Sequence, residues 1–483
     1  MTTSRFVLLV RPRSPNERFG LGPFFRVEPL GLEYVAATLR NDGHCALIVD
    51  ERFSAPLSQL IRQWKPDLVG ISCMHTVDIP TTLAAARQVK RAQPGLPVLV
   101  GGHVVALYPD PFFDSAIDAL ALGDAENTLP EFMRRYFSSD RDSAPPGFFV
   151  RRVPGNNSLC FERGPAHSMC DSLDRIERPA RDLVASVRSN YLCVHKQPLW
   201  ALETARGCPY RCSFCSTSLR NERKFYERGI DNVERDFWET GKNVFVVDDL
   251  FFYPPRRSLE LAQRLLRGGL KKDWLLVQTR LDTVARHPEV MQAWRPLARN
   301  IDLFFGFEAP TDAQLSGLVK DMSIDATEEG VRVARHYGFG VTGNFVVDPD
   351  WGETEFQAMW SMVDRLKLNR LGYTILTPLP GTPLFSQMSE RIIERDWSKW
   401  DMHHLLYEPR LGRERFFELF VECWRRNVLS ADHAAFKLAK WIKGLSLPQI
   451  LVLLRVLWRT QRMLKVHHYL DETFPLQVPA KLG

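Results

Sequence analysis

The stretch ETARGCPYRCSFCS, residues 203–216, constrains this chain more than any other. It places Cys208, Cys212 and Cys215 within eight residues. Three thiols spaced by three residues and then two ask for a common partner. A structural zinc would take four nitrogen or sulfur ligands, usually from paired Cys-x-x-Cys units. Here a fourth would have to come from a remote residue such as Cys193 or His195. A disulfide is disfavoured, because the chain has nine cysteines and the other six are scattered, a pattern of reducing compartments. Iron–sulfur clusters are held by cysteine thiolates, and a four-iron cluster with three protein ligands leaves one iron open to a small molecule.

With 483 residues, the chain is expected to form two or three domains. Its 45% hydrophobic and 25% charged content is that of a soluble globular protein. No apolar run of about 18 residues suggests a spanning helix. The apolar run near the start is too short for a signal peptide, so a cytoplasmic location is expected. A net charge of +6 is mild and does not call for nucleic acid.

Residues 1–140 alternate short apolar runs, at 6–10, 46–49, 68–71, 98–100 and 119–122, with helical patterns at 30–39, 57–64, 81–89 and after 127. That rhythm predicts a parallel sheet with helices on both faces, where ligands bind beyond the carboxyl ends of the strands. The residues at those ends are SCMHT (72–76), GGHVV (101–105) and GDAENT (123–128). Gly101 and Gly102 would let a ligand approach the backbone. Asp124 and Glu126 stand where they either cap a helix or face the ligand. His75 and His103 either touch a ligand or only make a hydrogen bond. No GxGxxG follows the first run, so the dinucleotide fingerprint is absent.

The polar, Pro- and Gly-rich stretches within 141–195 predict a linker. From 196 to 390 the rhythm resumes, with strands expected at 200–204, 244–247, 275–278, 303–306, 341–347 and 373–376. About six βα units suit a full or partial βα-barrel, whose chemistry sits at the carboxyl ends of the strands. The three cysteines lie just past the first of these strands. VFVVDDLFF (244–252) presents Asp248 and Asp249, GFEAP (306–310) presents Glu308, and VTGNFVVDPDWGET (341–354) presents Asp348, Asp350 and Trp351.

Residues 391–483 read as helical and basic. Lys437, Lys440 and Lys443, then Arg455, Arg459 and Arg462, recur at near-helical spacing around LSLPQILVLL, with Trp441 and Trp458 beside them. Two readings stand side by side. One is a helix lying in a membrane interface. The other is a helical cap on the barrel with its arginines in solvent.

The segment RGCPYRCSFCS resembles the cluster loop of the radical S-adenosylmethionine (SAM) superfamily, and the first sheet resembles a cobalamin-binding domain. The expected fold class is therefore α/β: a Rossmann-like cobalamin-binding domain, a radical SAM partial βα-barrel and a C-terminal helical region. The resemblance implies a [4Fe-4S] cluster on Cys208, Cys212 and Cys215, with SAM chelating the fourth iron. It implies Phe214 near the adenine, Asp248 and Asp249 at the SAM amino group, and Glu308 at the ribose, with Ala309 replacing the usual Ser. Cobalamin would lie against Ser72, Thr76, Gly101, Gly102, His103, Gly123 and Glu126. Its lower face would be unligated by the usual His, because the loop 11–28 contains none. Asp348, Asp350 and Trp351 depart from the family pattern and either shape the substrate pocket or form a different turn.

Enzymes of this class use a 5′-deoxyadenosyl radical and methylcobalamin to methylate unactivated carbons. In length and motif order the chain is similar to the hopanoid C-3 methylases. That implies a C-methyltransferase acting on a lipid, an external donor of the flavodoxin or ferredoxin type, and a peripheral position on the inner face of the cytoplasmic membrane. The alternatives are methylation of a bacteriochlorophyll side chain or of a peptide or antibiotic precursor, a radical cyclase, and a non-catalytic iron–sulfur protein.

Overall fold

A computed structural model describes residues 4–14, 24–138, 143–152, 159–166, 172–429 and 447–471, with side chains between 448 and 460 described in part. The run FVLLVR forms β1 (Phe6–Arg11), whose four central residues are buried. The short β2 (Phe25–Arg26) lies outside the main sheets. The first sheet continues with β3 (Cys45–Asp50), β4 (Leu68–Ser72), β5 (Val98–Gly101) and β6 (Ala119–Ala121). Two further strands, β7 (Phe148–Arg152) and β8 (Cys160–Arg163), complete it in the order β3-β1-β4-β5-β6-β7-β8. The first five are parallel and the last two antiparallel. The central strands are apolar throughout because helices cover both faces. The strand order reverses at β1, so the carboxyl ends of β1 and β4 border the crevice where such sheets bind ligands.

The stretch expected to be a linker is therefore corrected in part. Residues 148–152 and 160–163 belong to the first sheet, and β9 (Leu192–Cys193) pairs with β2. Two stretches that read as boundary by their Pro, Gly and polar neighbours pair antiparallel at the edge of the sheet.

The second sheet begins with β10 (Leu199–Leu202), followed by the short β11 (Ala205–Gly207) and β12 (Phe225–Glu227), which form a separate antiparallel pair. It then runs through β13 (Asn243–Val246), β14 (Lys272–Gln278), β15 (Ala298–Glu308), β16 (Gly340–Val347) and β17 (Leu371–Ile375). The order β10-β13-β14-β15-β16-β17 is sequential and every pairing is parallel. Among the described residues β10 and β17 do not pair, so the barrel is partial. Along β16 buried and half-buried residues alternate. Val341, Phe345 and Val347 pack into the shell of helices, while Thr342 and Asn344 lie on the other face.

Helix Arg413–Leu429 packs on the last strand. Trp424 meets Tyr373 edge-on at 5.4 Å, and Asn427 Nδ2 donates to the Leu371 carbonyl at 2.7 Å. This part of the C-terminal region is a cap on the barrel. Lys437, Lys440, Trp441 and Lys443 lie outside the described residues.

Candidate active site at the seam of the two sheets

The carboxyl ends of the two sheets meet. The cysteine loop leaves β11 and returns through β12, so the hairpin fixes both of its ends. Gly207 takes φ +93°, and a side chain there would strike the Lys224 carbonyl at 2.3 Å. Midway, Ser213 N donates to the Leu318 carbonyl at 3.0 Å, and Leu384 N donates to the Ser213 carbonyl at 3.1 Å. Cys215 N donates to the Cys212 carbonyl at 3.3 Å, which turns the loop back on itself.

Cys208, Cys212 and Cys215 are half-buried free thiols. Burial pushes the Cys208 thiol up to about 12, and the other two cysteines disfavour its ionisation further. Cys212 and Cys215 are also raised by burial. Three neighbouring thiols that resist ionisation need a strongly cationic partner to become thiolates. Among the described residues no three His, Cys, Asp or Glu converge to hold a single metal ion. A cluster does not require convergence on one point, because each thiolate takes a different iron. The donor set fits a cluster with three protein ligands.

Asp248 and Asp249 part company. Asp248 is buried, accepting from Thr204 N at 2.7 Å and from the Thr204 hydroxyl. Asp249 is open to solvent in a recess beside Cys208 and Cys215. Burial in the surrounding wall, then Glu203, lifts its carboxyl to about 7. Of the pair, Asp249 is the one that solvent reaches.

Glu308 ends β15 in the left-handed region, at φ +61°, where the register with β16 shifts. That conformation is uncommon for a residue other than glycine and concentrates at functional sites. Its Oε1 accepts from Lys320 Nζ at 2.6 Å, and the same ammonium donates to the Gly306 carbonyl at 2.9 Å. A side chain at 306 would meet Glu308 Oε1 at 2.0 Å, so the glycine of GFEAP lets the glutamate fold back. Ala309 is buried. Lys320 and Arg280 both favour ionisation of Cys212, and the Arg280 guanidinium lies 3.7 Å from the Tyr210 ring of the cysteine loop. Phe214 is half-buried in that loop.

On the first sheet, the Ser72 hydroxyl donates to the Val10 carbonyl at 3.5 Å, and Thr76 is buried. Gly102 has φ +116°, and a side chain there would meet the Cys73 carbonyl at 2.4 Å. The close approach at Gly102 is thus made by the chain itself. A side chain at Gly101 would touch Ala121 Cβ at 3.2 Å, whereas Gly123 has open space beside it. Of these three glycines, only Gly123 leaves its Cβ side open. His103 Nε2 bonds Ser216 Oγ at 2.7 Å, joining the two domains one residue past Cys215. Burial, Arg220 and His75 hold its imidazole down to about 4, so it is neutral. Glu126 is met by Arg206 Nη2 at 2.8 Å.

Asp348 accepts from Asp350 N at 2.9 Å, Asp350 forms two 2.7 Å bonds with Arg391, and Trp351 is buried edge-on to Phe356 at 5.7 Å. These three residues build a braced turn after β16. Arg206, Arg220, Lys320 and Arg280 went unassigned in the sequence reading. Their carboxylate, ring and carbonyl partners are mostly remote in sequence, so no local spacing announces them.

Comparison with known proteins gives two family matches: the B12 binding domain over residues 23–133 and the radical SAM superfamily over residues 202–363. The chain is 29% identical over 425 residues to the hopanoid C-3 methylase of Methylococcus capsulatus, spanning 86% of this chain and 79% of that one. It is 33% identical to the cobalamin-dependent radical SAM methyltransferase TokK of Streptomyces tokunonensis, over 43% of this chain and 31% of that one. The fold matches that of the cobalamin-dependent SAM radical enzyme OxsB, solved with aqua-cobalamin bound. The TM-score is 0.71 at 14% identity, covering 97% of this chain and 72% of that one.

Proposed function

This chain is a B12-binding radical SAM enzyme of the methyltransferase class, and from that premise we propose that it methylates an unactivated carbon of a lipid, C-3 of the hopanoid A ring. One observation carries the substrate: the similarity to a hopanoid C-3 methylase runs through both domains, across 86% of the chain. The cofactors are a [4Fe-4S] cluster, SAM and cobalamin. When bound, they supply the one-electron chemistry that opens a C–H bond no protein base could deprotonate, and the methyl group that replaces the hydrogen.

The chain's own residues position and exclude. Cys208, Cys212 and Cys215 hold the cluster. Asp249 accepts from the SAM ammonium, a charge-assisted bond. Glu308, aimed by Lys320, takes the ribose hydroxyls. The ends of β4, β5 and β6 carry cobalamin, with His103 and Arg206 tying that platform to the cluster loop. The Asp348–Trp351 turn borders the substrate. Reducing equivalents come from a flavodoxin- or ferredoxin-type donor, and the enzyme works at the inner face of the cytoplasmic membrane.

The test has two layers. Anaerobically reconstituted protein should form 5′-deoxyadenosine from SAM and reductant, and Cys212→Ala should abolish it. Deleting the gene in its host should remove methylated hopanoids from the lipid extract by mass spectrometry. Unchanged methylhopanoids with intact SAM cleavage would move the substrate to a tetrapyrrole or an antibiotic precursor and leave the reaction class standing.

A further inference from the structure

Helix Leu447–Met463 takes no part in the site described above. Its sequence, LPQILVLLRVLWRTQRM, carries three arginines and no acidic residue. Leu447, Leu451, Leu454 and Trp458 recur at i, i+4, i+7 and i+11, which sets them on one face. They are 71%, 50%, 52% and 63% exposed. Four large apolar side chains aligned in solvent form a patch of the sort that marks interaction surfaces.

The barrel anchors the far end of this helix. Met463 is buried, Arg425 donates twice to the Leu464 carbonyl at 3.0 and 3.2 Å, and Tyr469 stacks on Phe417 at 5.1 Å. Its stripe is thus presented by a braced element. Among the described residues no helix is long and apolar enough to cross a membrane.

Positions 455, 459 and 462 lie together along one flank of the stripe. Arg455 and Arg462 are exposed, and the Arg462 guanidinium sits 5.8 Å from the Trp458 ring. An apolar stripe, a tryptophan within it and arginines along its edge match a helix lying in the headgroup region. We propose that this face docks on a bilayer surface carrying anionic lipids, with the leucines and Trp458 in the acyl boundary and the arginines on headgroup phosphates. The single sign of charge selects the occupant. A second copy of the helix would bring arginines against arginines, whereas anionic headgroups compensate them. This gives a physical form to the membrane location proposed above, but it rests on the helix and not on the identity of the substrate.

Co-sedimentation of the full-length reconstituted protein with vesicles tests it. The protein should pellet with phosphatidylcholine vesicles containing phosphatidylglycerol, far less with phosphatidylcholine alone, and be released by salt. Each arginine near an anionic surface is worth about fivefold in binding, so Arg455→Ala/Arg462→Ala should weaken it about 30-fold. Leu451→Glu/Leu454→Glu should abolish it, with circular dichroism and 5′-deoxyadenosine formation unchanged. If that pair disturbs the fold, Trp458→Ala alone should still weaken binding. Wild-type binding by a folded Leu451→Glu/Leu454→Glu variant overturns the proposal. So does a wild type that ignores vesicles but is dimeric by light scattering and becomes monomeric in that variant, which would make the face an interface between copies. Loss of vesicle binding by variants that still yield methylated hopanoids upholds the docking face independently of the substrate reading.

Discussion

Arg206 and Asp124 meet across the seam of the two domains, Nη1 donating to Oδ2 at 2.9 Å, with both side chains almost wholly buried. Arg206 lies two residues before the first cysteine, and Asp124 begins the helix after β6. The same guanidinium reaches Glu126 and Glu203, while Arg220 reaches Asp124 from the other side of the loop. Burial alone would raise the Asp124 carboxyl, but Arg206 and Arg220 more than reverse it and leave it below its ordinary range. Asp124 therefore stays ionised, and its ion pairs fix the cluster loop relative to the first sheet.

Removing one member of a buried ionic network strands its partners and costs about 3–5 kcal/mol. Arg206→Met should lower stability by that amount, read as a drop in the urea midpoint of the full chain. Asp124→Asn should cost less, because Arg206 keeps Glu126 and Glu203. An Arg206→Met variant as stable as the wild type would show that the seam is held elsewhere.

Glu308 is held in a strained conformation by one ammonium. A hydrogen bond to a charged group is worth about 1.5–3 kcal/mol, so Glu308→Ala should weaken SAM binding roughly 10- to 100-fold by calorimetry. Lys320→Met should weaken it in the same direction while leaving cluster iron content unchanged. Equal SAM affinity in all three proteins would remove Glu308 from the SAM site.

Asp248 gives a pH signature. Burial lifts its carboxyl to about 7 in the folded chain, against 3.8 as the ordinary value. The folded state then holds a proton that the unfolded state has lost, so this group's stabilisation is full below about pH 4. It fades as pH rises toward 7 and stays constant above that. Asp248→Asn should flatten that part of the profile and gain roughly 2–4 kcal/mol relative to the wild type at pH 8, measured by urea unfolding from pH 4 to 8.

Gly102 cannot carry a side chain. Alanine there would combine a left-handed backbone with a 2.4 Å contact to the Cys73 carbonyl, so Gly102→Ala should cost at least ~2 kcal/mol. Gly123→Ala has open space around it and should leave stability nearly unchanged. If Gly123→Ala nonetheless lowers cobalamin retention on gel filtration, the open space beside Gly123 is the ligand's.

Much of the fold was legible in local pattern. Short apolar runs alternating with amphipathic stretches located both parallel sheets, because the central strands of the first are buried on two faces and those of the second carry buried runs against their helices. The hairpin β7–β8 was not legible. Its strands lie beside the same Pro, Gly and Ser residues that mark linkers, and only pairing with β6 makes it part of the first domain. The C-terminal region divided likewise. Helix 413–429 spends its aromatic face on the barrel, and helix 447–463 leaves its apolar stripe outside.

The sequence by itself determined which chemistry the chain can hold. Thiolate spacing on one short loop is a local covalent fact, and so is the absence of a histidine from the loop after β1. Only the tertiary structure decided that Asp248 is buried on Thr204 while Asp249 is open, and which cation pairs with Glu308. It also showed that Arg206 belongs to the seam. Burial and long-range ion pairing set those roles, and both depend on residues as far as 82 positions apart being brought within hydrogen-bond distance.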